Sequence, residues 1–147
     1  MADIFSKKQR SALMSRIRSR GNATTELALV RMLRAASIKG WRRHRRMAGG
    51  AARPDFIFPS ERVCIFVDGC FWHGCPKCFR APKSNVAYWR EKIARNRRRD
   101  RRTTRLLRTA GFRVVRVWEC RLKSPRAAKG FVARLAVLIG HRLPDQR

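Results

Sequence analysis

The chain has 147 residues and 44% apolar content, enough for one domain around one sizeable core. Its 37 Lys and Arg against 9 Asp and Glu leave a net charge of +28. That surplus repels itself unless something anionic sits on it, which argues against a small-molecule enzyme and for a nucleic-acid partner. No apolar run approaches the roughly 18 to 20 residues of a membrane span. Met1 to Arg20 lacks the apolar centre of a signal peptide. The expected compartment is therefore the cytoplasm, where stable disulfides are rare.

In chain order, residues 6–20 read as a short basic arm, ended by Gly21-Asn22. Thr24 or Thr25 caps a helix to about Ser37, with Leu27, Val30, Leu33 and Arg34 at helical spacing and Glu26 in the first turn. Trp41 to Arg46 reads as a strand, with His44 a surface residue among arginines, and Met47 to Arg53 as a small-residue loop. Pro54 to Phe58 reads as a short strand, and the apolar run Val63 to Val67 as a buried one. Residues 69–83 hold Gly, Cys and Pro and suit no regular element. A long helix spans about Val86 to Ala110, closed by Gly111. Its inward stripe is Trp89, Ile93, Asn96, Asp100, Thr103 and Leu107, polar in the middle. Phe112 to Trp118 reads as a third buried strand and Phe131 to Ile139 as a C-terminal helix. Interleaved strands and helices give an α/β fold with a central mixed sheet. No linker divides it: the expectation is an arm over residues 1–20 and a single domain over 21–147.

Cys70, Cys75 and Cys78 form a knuckle in the irregular segment, and Cys120 follows a strand. Four soft ligands, three from one knuckle and one remote, match a closed structural zinc site. An irregular segment of this length needs such a pin. Cys64 falls inside a strand and reads as an inert buried thiol.

With so few acids, each is conspicuous. Asp55 sits in Arg-Pro-Asp-Phe-Ile-Phe, just before a turn and a second apolar strand that Asp68 ends, so their carboxylates can converge on one Mg²⁺. Such an ion polarises a phosphate and activates a water. The bland alternative for Asp55 is a turn carboxylate, and for Glu26 a helix-terminus residue. His73 has three open roles: zinc ligand, phosphate contact or general base.

The run Asp68-Gly-Cys-Phe-Trp-His-Gly-Cys-Pro resembles the very-short-patch-repair (Vsr) mismatch endonucleases. So do Arg53-Pro-Asp-Phe, Tyr88 to Asn96, and Gly111 to Cys120, and the likeness covers about residues 6–122. It implies a restriction-endonuclease-like core with a central mixed sheet flanked by helices and a structural zinc. It further implies Mg²⁺-dependent nicking of one strand of double-stranded DNA at a T·G mismatch left by 5-methylcytosine deamination. A functional link to a cytosine-5 methyltransferase system follows, as does a nucleoid-associated monomer.

Carried over by residue, Asp55 resembles the main Mg²⁺ ligand, joined by the Val67 backbone carbonyl. His73 resembles the histidine that handles the attacking water, and Glu26 a more distant acid acting through water. Phe71 and Trp72 resemble an aromatic wedge entering the base stack, with Met14 entering from the other groove. Lys92 and Asn96 resemble mismatch-reading residues. The best-studied branch has Thr-His where this chain has Val67-Asp68, so Asp68 stands either as a metal ligand in place of a catalytic histidine or as a strand-end residue. Composition and cysteines alone also fit a zinc-stabilised nucleic-acid-binding protein without catalysis, or a related nuclease with another target.

Overall fold

The computed structural model describes Ser6, Lys8, Gln9 and residues 26–144. Most of the expected arm, Met14 within it, and the Thr24–Thr25 cap lie outside the described residues. The elements are α1 (Glu26–Ala35), β1 (Arg42–Arg43), a 3₁₀ turn (Ala48–Gly50), β2 (Phe56–Phe58), β3 (Val63–Asp68), α2 (Val86–Thr109), β4 (Arg113–Trp118), α3 (Glu119–Lys123) and α4 (Pro125–Leu138). The four strands form one sheet in the order β1-β2-β3-β4. β1 and β3 both run antiparallel to β2, while β3 and β4 are parallel, Val63 opposite Arg113 and Asp68 opposite Trp118. The mixed sheet and α/β class agree with the sequence reading, and α2 is the crossover that a parallel pair requires.

Strand alternation decides which helix each side chain meets. Phe56, Phe58, Val63, Ile65 and Val117 face Leu29 and Leu33 of α1, Leu122 of α3 and Phe131 and Leu135 of α4. Ile57, Cys64 and Phe66 face the other way, against Leu107 of α2. Fully buried side chains such as Phe56, Phe58 and Ile65 each contribute about 1.5–3 kcal/mol by leaving water. Cys64 is fully buried, and burial pushes its thiol up to about 11, which suits the inert role expected of it.

Several boundaries differ from the sequence reading. β1 is two residues long because His44 adopts a left-handed φ of 51° and ends it. α1 buries Leu29, Val30 and Leu33, whereas Arg34 is exposed. β4 is an edge strand with only Val117 buried, not a buried strand. The last helix begins earlier, at Pro125: Ser124 caps it by accepting from the Ala127 N–H, and proline fits the first turn, where its missing N–H costs nothing. α2 buries Trp89, Ile93, Asn96 and Leu107, four members of the expected stripe. It ends at Thr109, and the chain turns away at Gly111, whose φ of 88° favours glycine. Arg62 donates to the Ala110 and Gly111 carbonyls there, satisfying the helix end. Among the described residues no helix is long and apolar enough to cross a membrane.

Candidate active site

Asp55 enters β2 beside the middle of the sheet, and its Oδ2 accepts a 2.7 Å hydrogen bond from the Val67 N–H of β3. Burial pushes the Asp55 carboxyl up to about 7. The Val67 N–H pulls against that, while Glu26 and Asp68 push with it. A crowded, half-buried carboxyl of this kind calls for a proton or a cation.

Glu26, at the start of α1, is 4% exposed although it is charged. Its Oε2 accepts from Arg43 Nη2 at 2.6 Å and lies 2.7 Å from His44 Nε2. Glu26 is thus a member of the cluster and not only a helix-terminus residue. His44 corrects the sequence reading: its side chain is 17% exposed and turned inward. Burial holds its ring below the usual imidazole value, with Glu26 opposing. Donor atoms of Glu26, His44 and Asp55 all lie within 4.8 Å of one another.

A second group forms where β3 and β4 end beneath α2. Asp68 and Arg116 follow Phe66 and Val114 in alternation, so both face α2. The Arg116 Nε donates to Asp68 Oδ2 at 2.9 Å, and its Nη2 lies 3.1 Å from Asp100 Oδ1. The guanidinium also stacks 4.3 Å from the Phe66 ring centre. His73 Nδ1 makes a short hydrogen bond to Asp100 Oδ2 and lies 3.8 Å from Asp68 Oδ1. Burial works to raise Asp100, but the His73 bond and then Arg116 hold it below the usual carboxylate value. Asp100 and Arg116 were not singled out for chemistry in the sequence. Their signal was present in Asp100 on the inward stripe and in a charged residue at an inward position of a strand.

The four cysteines Cys70, Cys75, Cys78 and Cys120 bring their sulfurs within 4.8 Å of one another, Cys75 and Cys120 at 3.9 Å. Burial pushes the Cys70 thiol up to about 12. At Cys75 burial is outweighed by the Lys77 and Cys78 backbone N–H groups, which hold it below the usual thiol value. Thiolate-stabilising amides around clustered sulfurs are what a soft metal ion needs. Arg97 reaches from α2 to the His73 and Gly74 carbonyls, fastening the knuckle. Gly74 sits at φ 65°, and a Cβ there would meet Arg97 Nη2 at 2.6 Å.

The model for DNA mismatch endonuclease Vsr matches residues 2–79. The chain is 41% identical over 124 residues to the type II nicking enzyme V.XorIIP of Xanthomonas oryzae pv. oryzae, covering 83% of this chain and 88% of that one. It is 38% identical over 125 residues to DNA mismatch endonuclease Vsr of Escherichia coli K12, covering 84% and 77%. With the type II nicking enzyme V.NmeAIP of Neisseria meningitidis it shares 35% over 137 residues, 92% and 94% of the two chains. The chain belongs to the Vsr family.

It is accordingly a Vsr-family DNA endonuclease, and the charge distribution suits DNA. Outside its buried stripe α2 exposes Arg90, Arg95, Arg97, Arg98, Arg99, Arg101, Arg102, Arg105 and Arg108, a row able to track phosphates. Beside it lies an aromatic cluster. Phe71 meets Trp72 at 5.3 Å and Trp89 at 5.1 Å, both edge to face, and Trp72 lies 6.1 Å from Trp89. Phe71 and Trp72 are half-buried, and Tyr88 is 58% exposed. Asn96 is buried, and its Nδ2 donates to the Trp72 carbonyl at 2.8 Å. Lys92, one turn earlier, is half-buried.

The half-exposed rings give a test of the wedge expected of Phe71 and Trp72. Each alanine substitution is expected to weaken discrimination of a mismatched from a matched duplex by about 1–3 kcal/mol, the worth of one base–aromatic stack. Binding to matched DNA should change little. The check is a pair of binding titrations with thermal melts alongside. A drop in melting temperature with unchanged discrimination would assign both rings to packing on Trp89.

Proposed function

We propose that this chain is a strand-specific mismatch endonuclease on a restriction-endonuclease-like core, hydrolysing one phosphodiester beside a T·G pair. The observation that carries the reading is the gathering of two carboxylate–histidine groups around the end of β3, Glu26 with His44 and Asp55, and Asp68 with His73 and Asp100. They lie within a chain whose surface is otherwise strongly basic.

Asp55 fits a hard divalent cation, because it is half-buried beside a second carboxylate and pushed up to about 7. Asp55, the Val67 carbonyl and, through water, Glu26 would hold Mg²⁺. Bound there, Mg²⁺ supplies a polarised phosphate and an acidified water. His73 has its Nδ1 engaged by Asp100, which leaves Nε2 to take the proton of the attacking water. Asp68, paired with Arg116, lies 3.8 Å from the same His73 nitrogen and would stand in place of a second histidine.

The four cysteines hold zinc, which fixes the knuckle carrying His73 and the two rings. Phe71 and Trp72 wedge into the stack and Met14 enters from the other groove. Lys92 meets the mismatch, and Asn96 fixes the Trp72 segment. The T·G substrate arises where a cytosine-5 methyltransferase has acted and the methylated base has deaminated. The protein would act as a monomer in the cytoplasm at the nucleoid, with residues 1–20 as a DNA-contacting arm and 21–147 as the nuclease domain.

The test is incubation with Mg²⁺ and duplexes differing only in T·G against C·G at one position. One nick in one strand of the T·G duplex is expected. Equal cutting of both duplexes would mean another target. Binding without cutting would mean the noncatalytic alternative.

A further inference from the structure

His44 is the residue whose surroundings depart furthest from its sequence context. It stands in a run of arginines, yet its ring lies close to the buried Glu26 and the half-buried Asp55 carboxylates. Its left-handed φ of 51° is costly for a residue with a Cβ. The conformation is held from both sides. The His44 N–H donates to the Asp55 carbonyl at 3.3 Å, and Arg53 Nε donates to the His44 carbonyl at 3.1 Å. Strain of this kind persists where neighbours over-determine it, and it clusters at functional sites.

The ring is not needed to neutralise Glu26. Arg43 already holds the same Glu26 oxygen at 2.6 Å. What the strained turn achieves is a nitrogen donor within 4.8 Å of both a Glu26 and an Asp55 oxygen. Three donors converge from three separate segments: the start of α1, the end of β1 and the approach to β2.

We propose that His44 is a further side-chain ligand of the divalent-ion site, so that one imidazole joins the Asp55 carboxylate there, with Glu26 acting through water. The inference rests on the reading that Asp55 holds a divalent ion, and it sets that ion's class. Mg²⁺ is hard and takes oxygen. A ring nitrogen moves the preference toward first-row divalent ions, of which Mn²⁺ also keeps carboxylate ligands.

The test uses the full zinc-loaded chain titrated with Mn²⁺, with bound and free ion read by electron paramagnetic resonance. The parent is expected to show hyperfine coupling between bound Mn²⁺ and an imidazole nitrogen, and Mn²⁺ should outcompete Mg²⁺. His44→Gln keeps a donor for Glu26 but removes the ring. It is expected to lose the coupling and to weaken Mn²⁺ at least about tenfold, with a much smaller change for Mg²⁺. His73→Gln is expected to keep the coupling.

Mn²⁺ bound to the parent without nitrogen coupling would overturn the inference while leaving Asp55 as a metal ligand. Coupling lost in His73→Gln and retained in His44→Gln would overturn it as well. Unaltered Mn²⁺ binding by Asp55→Asn would instead overturn the underlying metal reading. A parent spectrum without coupling rules His44 out whether or not a variant folds, and a parent spectrum with coupling is assigned by comparing His44→Gln with His73→Gln.

Discussion

Asp55→Asn is expected to abolish nicking while the protein still folds and binds DNA. The substitution keeps the shape of the side chain and an oxygen to accept the Val67 N–H, but removes the charge that a divalent cation needs. The metal's stabilisation of the transition state is worth several kcal/mol, so the loss should be roughly 10³-fold or more. The fold should survive because the native carboxyl sits uneasily: burial already pushes it up to about 7. An uncharged amide relieves that strain, so the melting temperature of the metal-free variant should equal or exceed the parent's. Single-turnover nicking and duplex binding, measured on the same preparation, make the comparison. Nicking at the parent rate would place the chemistry elsewhere.

Removal of zinc is the second large effect. Structural zinc in small folds binds with about 10–16 kcal/mol, as much as the whole stability of an ordinary domain. Protein purified without chelator should carry about one zinc per chain. Cys120→Ser should lose it and melt far below the parent, because the start of α3, directly after β4, then no longer holds the knuckle. Cys64→Ala is the control. Its thiol is fully buried between the sheet and α2 and stands outside the cluster, so zinc content should be unchanged. A zinc-free parent with a normal melting curve would remove zinc from the account.

The parts legible in the sequence share a property: their signal is local. The stripe on α2 announced itself by helical spacing, and its polar middle held Asn96 and Asp100, which bond the Trp72 carbonyl and the His73 ring. The knuckle announced itself by three cysteines in a segment with no regular structure. What escaped depends on contacts between distant segments. His44 looked like part of a solvated arginine run, because nothing local shows that a left-handed turn swings its ring toward Glu26. The Arg116 contacts to Asp68 and Asp100 join the ends of two parallel strands to a helix. Only the register of β3 on β4 brings them together. β4 read as buried because its alternation is apolar, yet an edge position leaves all but Val117 partly exposed.

The parallel pairing of β3 with β4 also bears on how quickly the chain reaches its working form. Val63 can meet Arg113 only after α2 has been looped out between them, and such distant pairings are slow because the closure entropy is lost before any contact repays it. Cys70, Cys75 and Cys78 can gather a metal ion while the rest of the chain is still open. Capture of Cys120, 45 positions beyond Cys75, closes the same loop that the strands must close. With zinc in the cluster as proposed, metal capture and sheet completion would share one entropic barrier, and metal supply during synthesis would bear on the rate of maturation as well as on the durability of the finished fold.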